Sequence, residues 1–229
     1  MAYGNSFQRT TPAVLNLLII NGLCFLAQNL FGGSGDFNRA DDLFALHHIR
    51  SEEFRPYQII TSMFMHAGIL HIAFNMLALW MFGTMVERVW GPKRFLIFYF
   101  ICGVAASLAQ LGFYAYSFRA IDNMVLDADQ FSQYQNMLRV NATVGASGAI
   151  MGILAAYAYL FPDTKLFIMP IPFPVKAKYA IMGIIALDLF GGIGQVQGDN
   201  IAHFAHLGGA AVGLLLVIIW NRINKTRFY

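Results

Sequence analysis

Charged residues are scarce in this chain of 229 residues: Asp, Glu, Lys and Arg make up 12% of it, and hydrophobic residues make up 58%. Soluble domains have about 45–50% apolar and about 25% charged residues, so this composition excludes a soluble globular domain. The two cysteines, Cys24 and Cys102, lie in apolar stretches and exclude a disulfide framework. The net charge is only +3 and no basic cluster is interleaved with aromatic residues, which excludes nucleic acid as a partner.

Long apolar windows dominate the rest of the sequence and predict transmembrane helices. The six windows cover residues 13–31, 68–86, 95–116, 143–161, 179–198 and 201–220. Each is long enough to cross about 30 Å of hydrocarbon as a helix. We therefore predict an all-α membrane protein, a bundle of six transmembrane helices that forms a single domain over residues 1–229.

The loop charges predict the orientation of this bundle, because Lys and Arg accumulate on the cytoplasmic side. The N-terminus, residues 87–94, residues 162–178 and the C-terminal tail hold ten of the fifteen Lys and Arg residues and only two acids. The loops on the other side hold the remaining five basic residues and nine acids. Both termini are therefore predicted to be cytoplasmic, with long outer loops at 32–67 and 117–142.

Several polar side chains lie inside the apolar windows, where their burial is costly and makes them functional candidates. Windows two, four and six all begin on the predicted outer side. Their first turns hold His71, Asn75, Ser147, His203 and His206. The rise of a helix places all of them within about 10 Å of the outer surface. Three helices are therefore predicted to bring polar groups to one depth.

Ser147 has small neighbours on both sides, in the sequence Gly145-Ala146-Ser147-Gly148. An isolated serine in a membrane helix is usually a packing residue bonded to its own i−4 carbonyl. Small neighbours, however, allow a substrate backbone to approach Oγ. They also leave the N–H groups at a helix start free to face an oxyanion.

His206 precedes Gly209 and Gly213, which lie on the same helix face. A membrane histidine often only bonds to a neighbouring helix. Here the glycines form a small-xxx-small strip, and Gly148 begins a similar strip beside Ser147. We expect the two strips to pack together and to bring Ser147 Oγ within hydrogen-bond reach of His206, the arrangement that activates a serine nucleophile.

The second window adds His71 and Asn75, which are four residues apart and share a helix face. A histidine and an amide aimed at one spot are suitable oxyanion donors. His66 lies at the mouth of this window and is expected to orient the preceding loop.

These three motifs together resemble the signatures of rhomboid intramembrane serine proteases. The motifs are Met65-His66 with His71 and Asn75, then Gly145-Ala146-Ser147-Gly148, then Ala205-His206 with Gly209 and Gly213. Each is modest alone, but three in order on alternate windows are highly specific. The resemblance covers about residues 11–220.

The resemblance implies a mechanism. Ser147 would be the nucleophile and His206 the general base, a dyad without a third acid, and His71, Asn75 and the Ser147 N–H would form an oxyanion hole. Gly209 and Gly213 would pack helix six onto helix four. The substrate would be a transmembrane helix of another protein, cut near the outer face. No cofactor or metal is expected, and a bacterial inner membrane is the expected location.

One position departs from the family pattern: Met151 stands where many members carry an aromatic residue that stacks on the catalytic histidine. His203 and Asp188 receive no firm role. Asp188 is expected to be a buried structural acid, so Asp188→Asn and Asp199→Asn should each keep activity within about tenfold.

Three other classes remain open. A catalytically dead rhomboid-like adaptor would bind membrane clients without cleaving them. A metal or haem protein would use a four-histidine site at His66, His71, His203 and His206. A channel or transporter is disfavoured, because the polar groups stop halfway across. The sequence leaves the substrate and the oligomeric state open.

Overall fold

The computed structural model describes residues 11–32, 39–168, 172–194 and 202–224. These residues are mostly helical and contain one short antiparallel pair of strands, β1 (Lys165–Leu166) and β2 (Val175–Lys176). The α-helices in chain order are α1 (Pro12–Phe31), α2 (Arg39–Phe44), α3 (Gln58–Thr61), α4 (Ile69–Ala78), α5 (Thr84–Trp90), α6 (Pro92–Asp122), α7 (Ala128–Val140), α8 (Ser147–Leu160), α9 (Ala177–Gly194) and α10 (His203–Asn224). A π-helical segment, Leu79–Gly83, joins α4 to α5 without a break.

Four helices in the described ranges are long and apolar enough to cross a membrane: α1, the continuous Ile69–Trp90 unit, α6 and α10. Helix α8 is apolar but only 14 residues long. The prediction of an all-α, multi-pass membrane protein is therefore confirmed, while the count of six spans stays a prediction. Residues 1–10, 195–201 and 225–229, which include Asp199 and both predicted cytoplasmic ends, lie outside the described ranges.

The fourth predicted window starts too early. Helix α8 begins at Ser147, whereas the window begins at Thr143. Thr143 instead forms an isolated antiparallel bridge with Leu46 of the first outer loop. Gly145 then takes a φ of 132°, a left-handed conformation that other residues rarely adopt. The backbone is therefore non-helical up to the serine, which becomes the first residue of its helix.

Helix α8 lies at the centre of the bundle and packs against α6, α9 and α10. Its side chains are buried along most of its length, and they belong to the same hydrophobic core as the fully buried Phe95, Phe98 and Tyr99 of α6. By contrast, many large apolar side chains on α1 and α9 are exposed. An apolar exterior around a close-packed centre is what a bilayer requires of a helical bundle.

Both predicted outer loops contain helices that hydrophobicity alone does not reveal. The first folds into α2, α3 and a 3₁₀ turn at Ser62–Phe64. The second contains α7, which begins with a capping box between Asp127 and Gln130. An ion pair between Arg139 of α7 and Asp42 of α2 joins the two loops.

The buried carboxylate of Glu87 caps the start of α1. Its two oxygens accept hydrogen bonds from the backbone N–H groups of Ala13 and Val14 at 3.0 and 2.8 Å. These N–H groups have no partner within their own helix. An acid at a helix N-terminus is also favoured by the helix dipole, so Glu87 fixes α1 against α5.

Candidate active site

Ser147 and His206 meet where the first turns of α8 and α10 cross. The Nε2 atom of His206 lies 2.7 Å from Oγ of Ser147, the distance of a short hydrogen bond. The serine is the first residue of α8 and His206 is in the first turn of α10. The polar groups are therefore held by helix ends, whose positions depend on the packing of the two helices.

Glycines on both helices allow this close approach. A Cβ atom on Gly209 would overlap the carbonyl oxygen of Gly148, and one on Gly213 would lie 2.6 Å from Cα of Gly152. Real Cβ atoms essentially never approach another heavy atom closer than 3.0 Å. The backbones of α8 and α10 are thus in direct contact along two turns, which places the serine and the histidine within one hydrogen bond.

The other ring nitrogen of His206 faces a carboxylate that the sequence analysis did not assign to the site. Nδ1 of His206 lies 3.1 and 3.0 Å from Oδ1 and Oδ2 of Asp188 on α9. Oδ1 also lies 2.7 Å from Nδ1 of His203. The sequence signal was present, since Asp188 is the only charge in the fifth window. Asp188 and His206 are 18 residues apart in the sequence, on different helices, so no local spacing pattern predicted their contact.

His71 of α4 lies against the turn that precedes Ser147. A Cβ atom on Gly145 would lie 2.9 Å from Cε1 and 3.0 Å from Nε2 of this ring, so only glycine leaves room for it. Nδ1 of His71 accepts a hydrogen bond from the Ala67 N–H at 3.3 Å. The proton of the neutral ring is therefore assigned to Nε2, the nitrogen that faces Gly145.

His66 packs edge-on against His71, with ring centroids 5.2 Å apart. It is fully buried, and burial together with the neighbouring His71 lowers the pKa of His66 to about 4. Gln28 of α1 bonds to both the N–H and the carbonyl of His66, at 3.1 and 3.0 Å. His66 is thereby fixed to α1 and supports one side of the His71 ring.

Asn75 lies one turn after His71 and is also buried. Its Nδ2 atom has no hydrogen-bond partner among the described residues. A buried amide donor without a partner is costly, and such groups in native structures call for an explanation. The N–H groups at the start of α8 also have no acceptor within their helix. Such unpaired N–H groups are suited to donate hydrogen bonds to a negatively charged oxygen that forms only transiently during a reaction.

A small cavity beside Ser147 extends between the first outer loop and α6. Its lining combines apolar residues such as Met63 and Gly103 with the hydroxyl-bearing Ser62 and Ser107. Met151, one turn along α8 from the serine, is buried in the hydrophobic core.

The four-histidine alternative gains no support from these positions. Within the described ranges, no three His, Cys, Asp or Glu side chains are arranged as ligands of a metal ion. His66 and His71 pack ring against ring, whereas His203 and His206 both face Asp188.

Comparison with known proteins gives a family match across most of the chain. The family model described as the Rhomboid domain matches residues 53–222. The chain is 35% identical over 163 residues to Rhomboid protease AarA of Providencia stuartii, covering 69% of this chain and 54% of that protein. It is 30% identical over 215 residues to Rhomboid protease GluP of Bacillus subtilis, covering 91% of this chain and 36% of that protein. It is 32% identical over 157 residues to Rhomboid protein 1, mitochondrial, of Saccharomyces cerevisiae, covering 69% of this chain and 40% of that protein. The chain thus spans less than two thirds of the length of these relatives.

Proposed function

The chain belongs to the rhomboid family, and we propose that it is an intramembrane serine endopeptidase that uses Ser147 and His206 to cleave transmembrane helices of other proteins. The observation that carries this proposal is the 2.7 Å contact between Ser147 Oγ and His206 Nε2. A serine hydroxyl is a weak nucleophile until an adjacent base takes its proton, and a hydrogen bond of this length is the geometry that such a transfer needs.

In the first half of the reaction, Ser147 Oγ attacks the carbonyl carbon of the scissile peptide bond. The hydroxyl proton moves to His206 Nε2 as the bond between Oγ and carbon forms, and the carbonyl electron pair moves onto oxygen. The Ser147 N–H, His71 Nε2–H and Asn75 Nδ2–H donate to this oxyanion. Such donors stabilise the transition state because they are already oriented before the charge develops.

In the second half, the imidazolium of His206 gives its proton to the leaving amine and the peptide bond breaks. The acyl group remains on Ser147. Water then attacks this ester while Nε2 of His206 takes its proton. The bond between Oγ and carbon breaks, His206 returns that proton to Ser147 Oγ, and the new carboxyl end is released. Each proton transfer uses the same ring nitrogen, so the arrangement supports both halves with one base.

We further propose that the site lies near the outer face of a bacterial inner membrane, in a bundle of six spans with both termini in the cytoplasm. The excess of Lys and Arg in the loops opposite the site supports this orientation. The substrate would be a transmembrane helix with small residues and weak helicity near its outer end. Such a segment can unwind to present an extended backbone to Ser147.

Cleavage in proteoliposomes tests the proposal. The chain is reconstituted with a panel of single-span test proteins that carry Gly and Ala near the outer end of the span. We expect cleavage by the wild type, and its abolition by Ser147→Ala and by His206→Ala. Ser107→Ala is the matched control, because Ser107 lines the same cavity but donates to the Ile59 carbonyl at 2.9 Å.

Other outcomes favour other functions. Cleavage that persists in Ser147→Ala contradicts the proposal. Loss of wild-type cleavage on chelation with EDTA favours a metal enzyme. Binding of the test proteins without cleavage by a folded wild type favours the adaptor.

A further inference from the structure

The carboxylate of Asp188 lies between two histidine rings of α10. Its Oδ2 is 3.0 Å from Nδ1 of His206, and its Oδ1 is 2.7 Å from Nδ1 of His203. Only 10% of the Asp188 side chain is exposed, so water competes little for these bonds. An intramembrane acid is costly unless it is hydrogen-bonded, and here both oxygens have ring partners.

The hydrogen bonds define which nitrogen of His206 carries the proton. Nε2 must hold a free electron pair to accept the Ser147 hydroxyl proton at 2.7 Å. The proton of the neutral ring is then on Nδ1, from which it donates to Asp188. We propose that Asp188 is a positioning residue that holds His206 in this tautomer and orientation, so that Ser147, His206 and Asp188 act as a Ser–His–Asp triad. This inference rests on the proposed function.

During attack the proton of Ser147 moves to Nε2 and the ring becomes an imidazolium. A carboxylate within 3.0 Å of Nδ1 stabilises this positive charge as it develops. Asp188 itself takes no proton: the Nδ1–H bond persists, and the only bonds that change at the base are at Nε2. Asp188 therefore assists the reaction by orienting His206 and by stabilising its positive charge. The electrostatic effect is larger in this low-dielectric environment than in water.

His203 and two glycines of α9 hold the carboxylate of Asp188 in position. A Cβ atom on Gly191 would lie 2.5 Å from Cε1 of His203, and one on Gly192 would lie 3.0 Å from its Cβ. Gly191 and Gly192 lie one turn after Asp188 on α9. Because they have no side chains, the first turn of α10, with His203, can pack directly against α9 at this point. His203 then holds Oδ1, which lies 3.1 Å from Nδ1 of His206, while Oδ2 lies 3.0 Å from the same nitrogen.

Kinetics of Asp188→Asn test the inference. Because the His203 N–H holds Oδ1, the amide nitrogen of this variant would take the position of Oδ2, 3.0 Å from Nδ1 of His206, and would donate to that nitrogen. The ring would then carry its proton on Nε2, where it cannot accept the serine proton. We expect kcat for a cleaved test helix to fall at least about a hundredfold, with KM within about threefold. This replaces the tenfold limit expected from the sequence alone, where the contact between Asp188 and His206 was not foreseen.

Two further variants separate positioning from a structural role. Asp188→Glu keeps a carboxylate and should recover at least about tenfold in kcat over Asp188→Asn. Asp163→Asn makes the same chemical change at an exposed acid paired with Lys176 and Lys178, and should leave kcat unchanged. All rates are divided by the folded fraction, measured by thermal unfolding in micelles.

The tautomer is also measured directly, by nitrogen NMR on [15N]histidine-labelled protein, with His206 assigned from its loss in His206→Ala. We expect the wild-type proton on Nδ1. This measurement decides the inference even if Asp188→Asn does not fold, because a wild-type proton on Nε2 overturns it. A folded Asp188→Asn with kcat within threefold of the wild type overturns it too. In that case cleavage by the wild type, lost in Ser147→Ala, leaves the proposed protease function standing.

Discussion

The substitution Gly209→Ala tests whether the contact between α8 and α10 sets the geometry of the proposed dyad. A single methyl group is added at the point where a Cβ atom would overlap the Gly148 carbonyl. One turn further on, at Gly213, the corresponding distance is 2.6 Å, and ordinary contact begins at 3.4 Å. The helices would therefore separate by about 0.8 Å even at the milder position, and by more at Gly209.

A separation of that size acts directly on the hydrogen bond between Ser147 and His206. Added to the present 2.7 Å, it takes the distance between Oγ and Nε2 to about 3.5 Å, the limit of a hydrogen bond. Misplacement of reacting groups by about 1 Å can cost about a hundredfold in rate. We expect Gly209→Ala to lose at least about a hundredfold in kcat and about 1–3 kcal/mol in unfolding free energy.

The assay compares initial cleavage rates in proteoliposomes for Gly209→Ala, the wild type and Gly183→Ala. The control makes the same change on α9, where a new Cβ atom meets no heavy atom within 4 Å. It should keep the wild-type rate. If folded Gly209→Ala cleaves within threefold of the wild type, the two helices do not fix the dyad and the packing argument is refuted.

Three other predictions concern the groups around the dyad. Asn75→Ala should lower kcat by about 10²–10³ with little change in KM, because one oxyanion donor is lost, and a wild-type rate would exclude it as a donor. Glu87→Gln should lower the unfolding free energy in micelles by about 1 kcal/mol through the weakened cap on α1, whereas exposed Glu52→Gln should not. The pKa of buried His66 is lowered to about 4 from about 6.5 in the unfolded chain, so the unfolded state binds more protons between these values. Stability should therefore fall as pH drops below about 6.5, with about 2 kcal/mol lost from His66 by pH 5, and an equal pH dependence in His66→Gln would contradict this.

The helices and the local part of the site could be predicted because they depend on short-range patterns. Among the described residues, the four helices long and apolar enough to span a membrane all coincide with predicted apolar windows, and a spacing of four residues put His71 and Asn75 on one face. Helix α7 was missed because its polar surface has no apolar run. Its capping box, Asp127 with Gln130, was the available signal.

The remaining features depend on contacts between distant segments. The start of α8 is set by the bridge from Thr143 to Leu46, which no local pattern around the serine encodes. Asp188 was expected to be only a structural acid, and its place beside His206 follows from how α9 packs on α10. Periodicity assigns a residue to a helix face, but it does not identify the neighbouring helix that the face meets.

Reaction with a fluorophosphonate tests most directly whether Ser147 is an activated nucleophile. Such reagents form a covalent bond with a serine whose proton is taken by an adjacent base, and they do not need a known substrate. After labelling of the intact protein in detergent micelles, mass spectrometry of its peptides should locate a single adduct on Ser147. The adduct should be absent in Ser147→Ala, strongly reduced in His206→Ala, and unchanged in Ser107→Ala and in EDTA. A folded wild-type protein that forms no adduct, or forms it on another residue, would contradict the assignment of Ser147 and His206 as the catalytic pair.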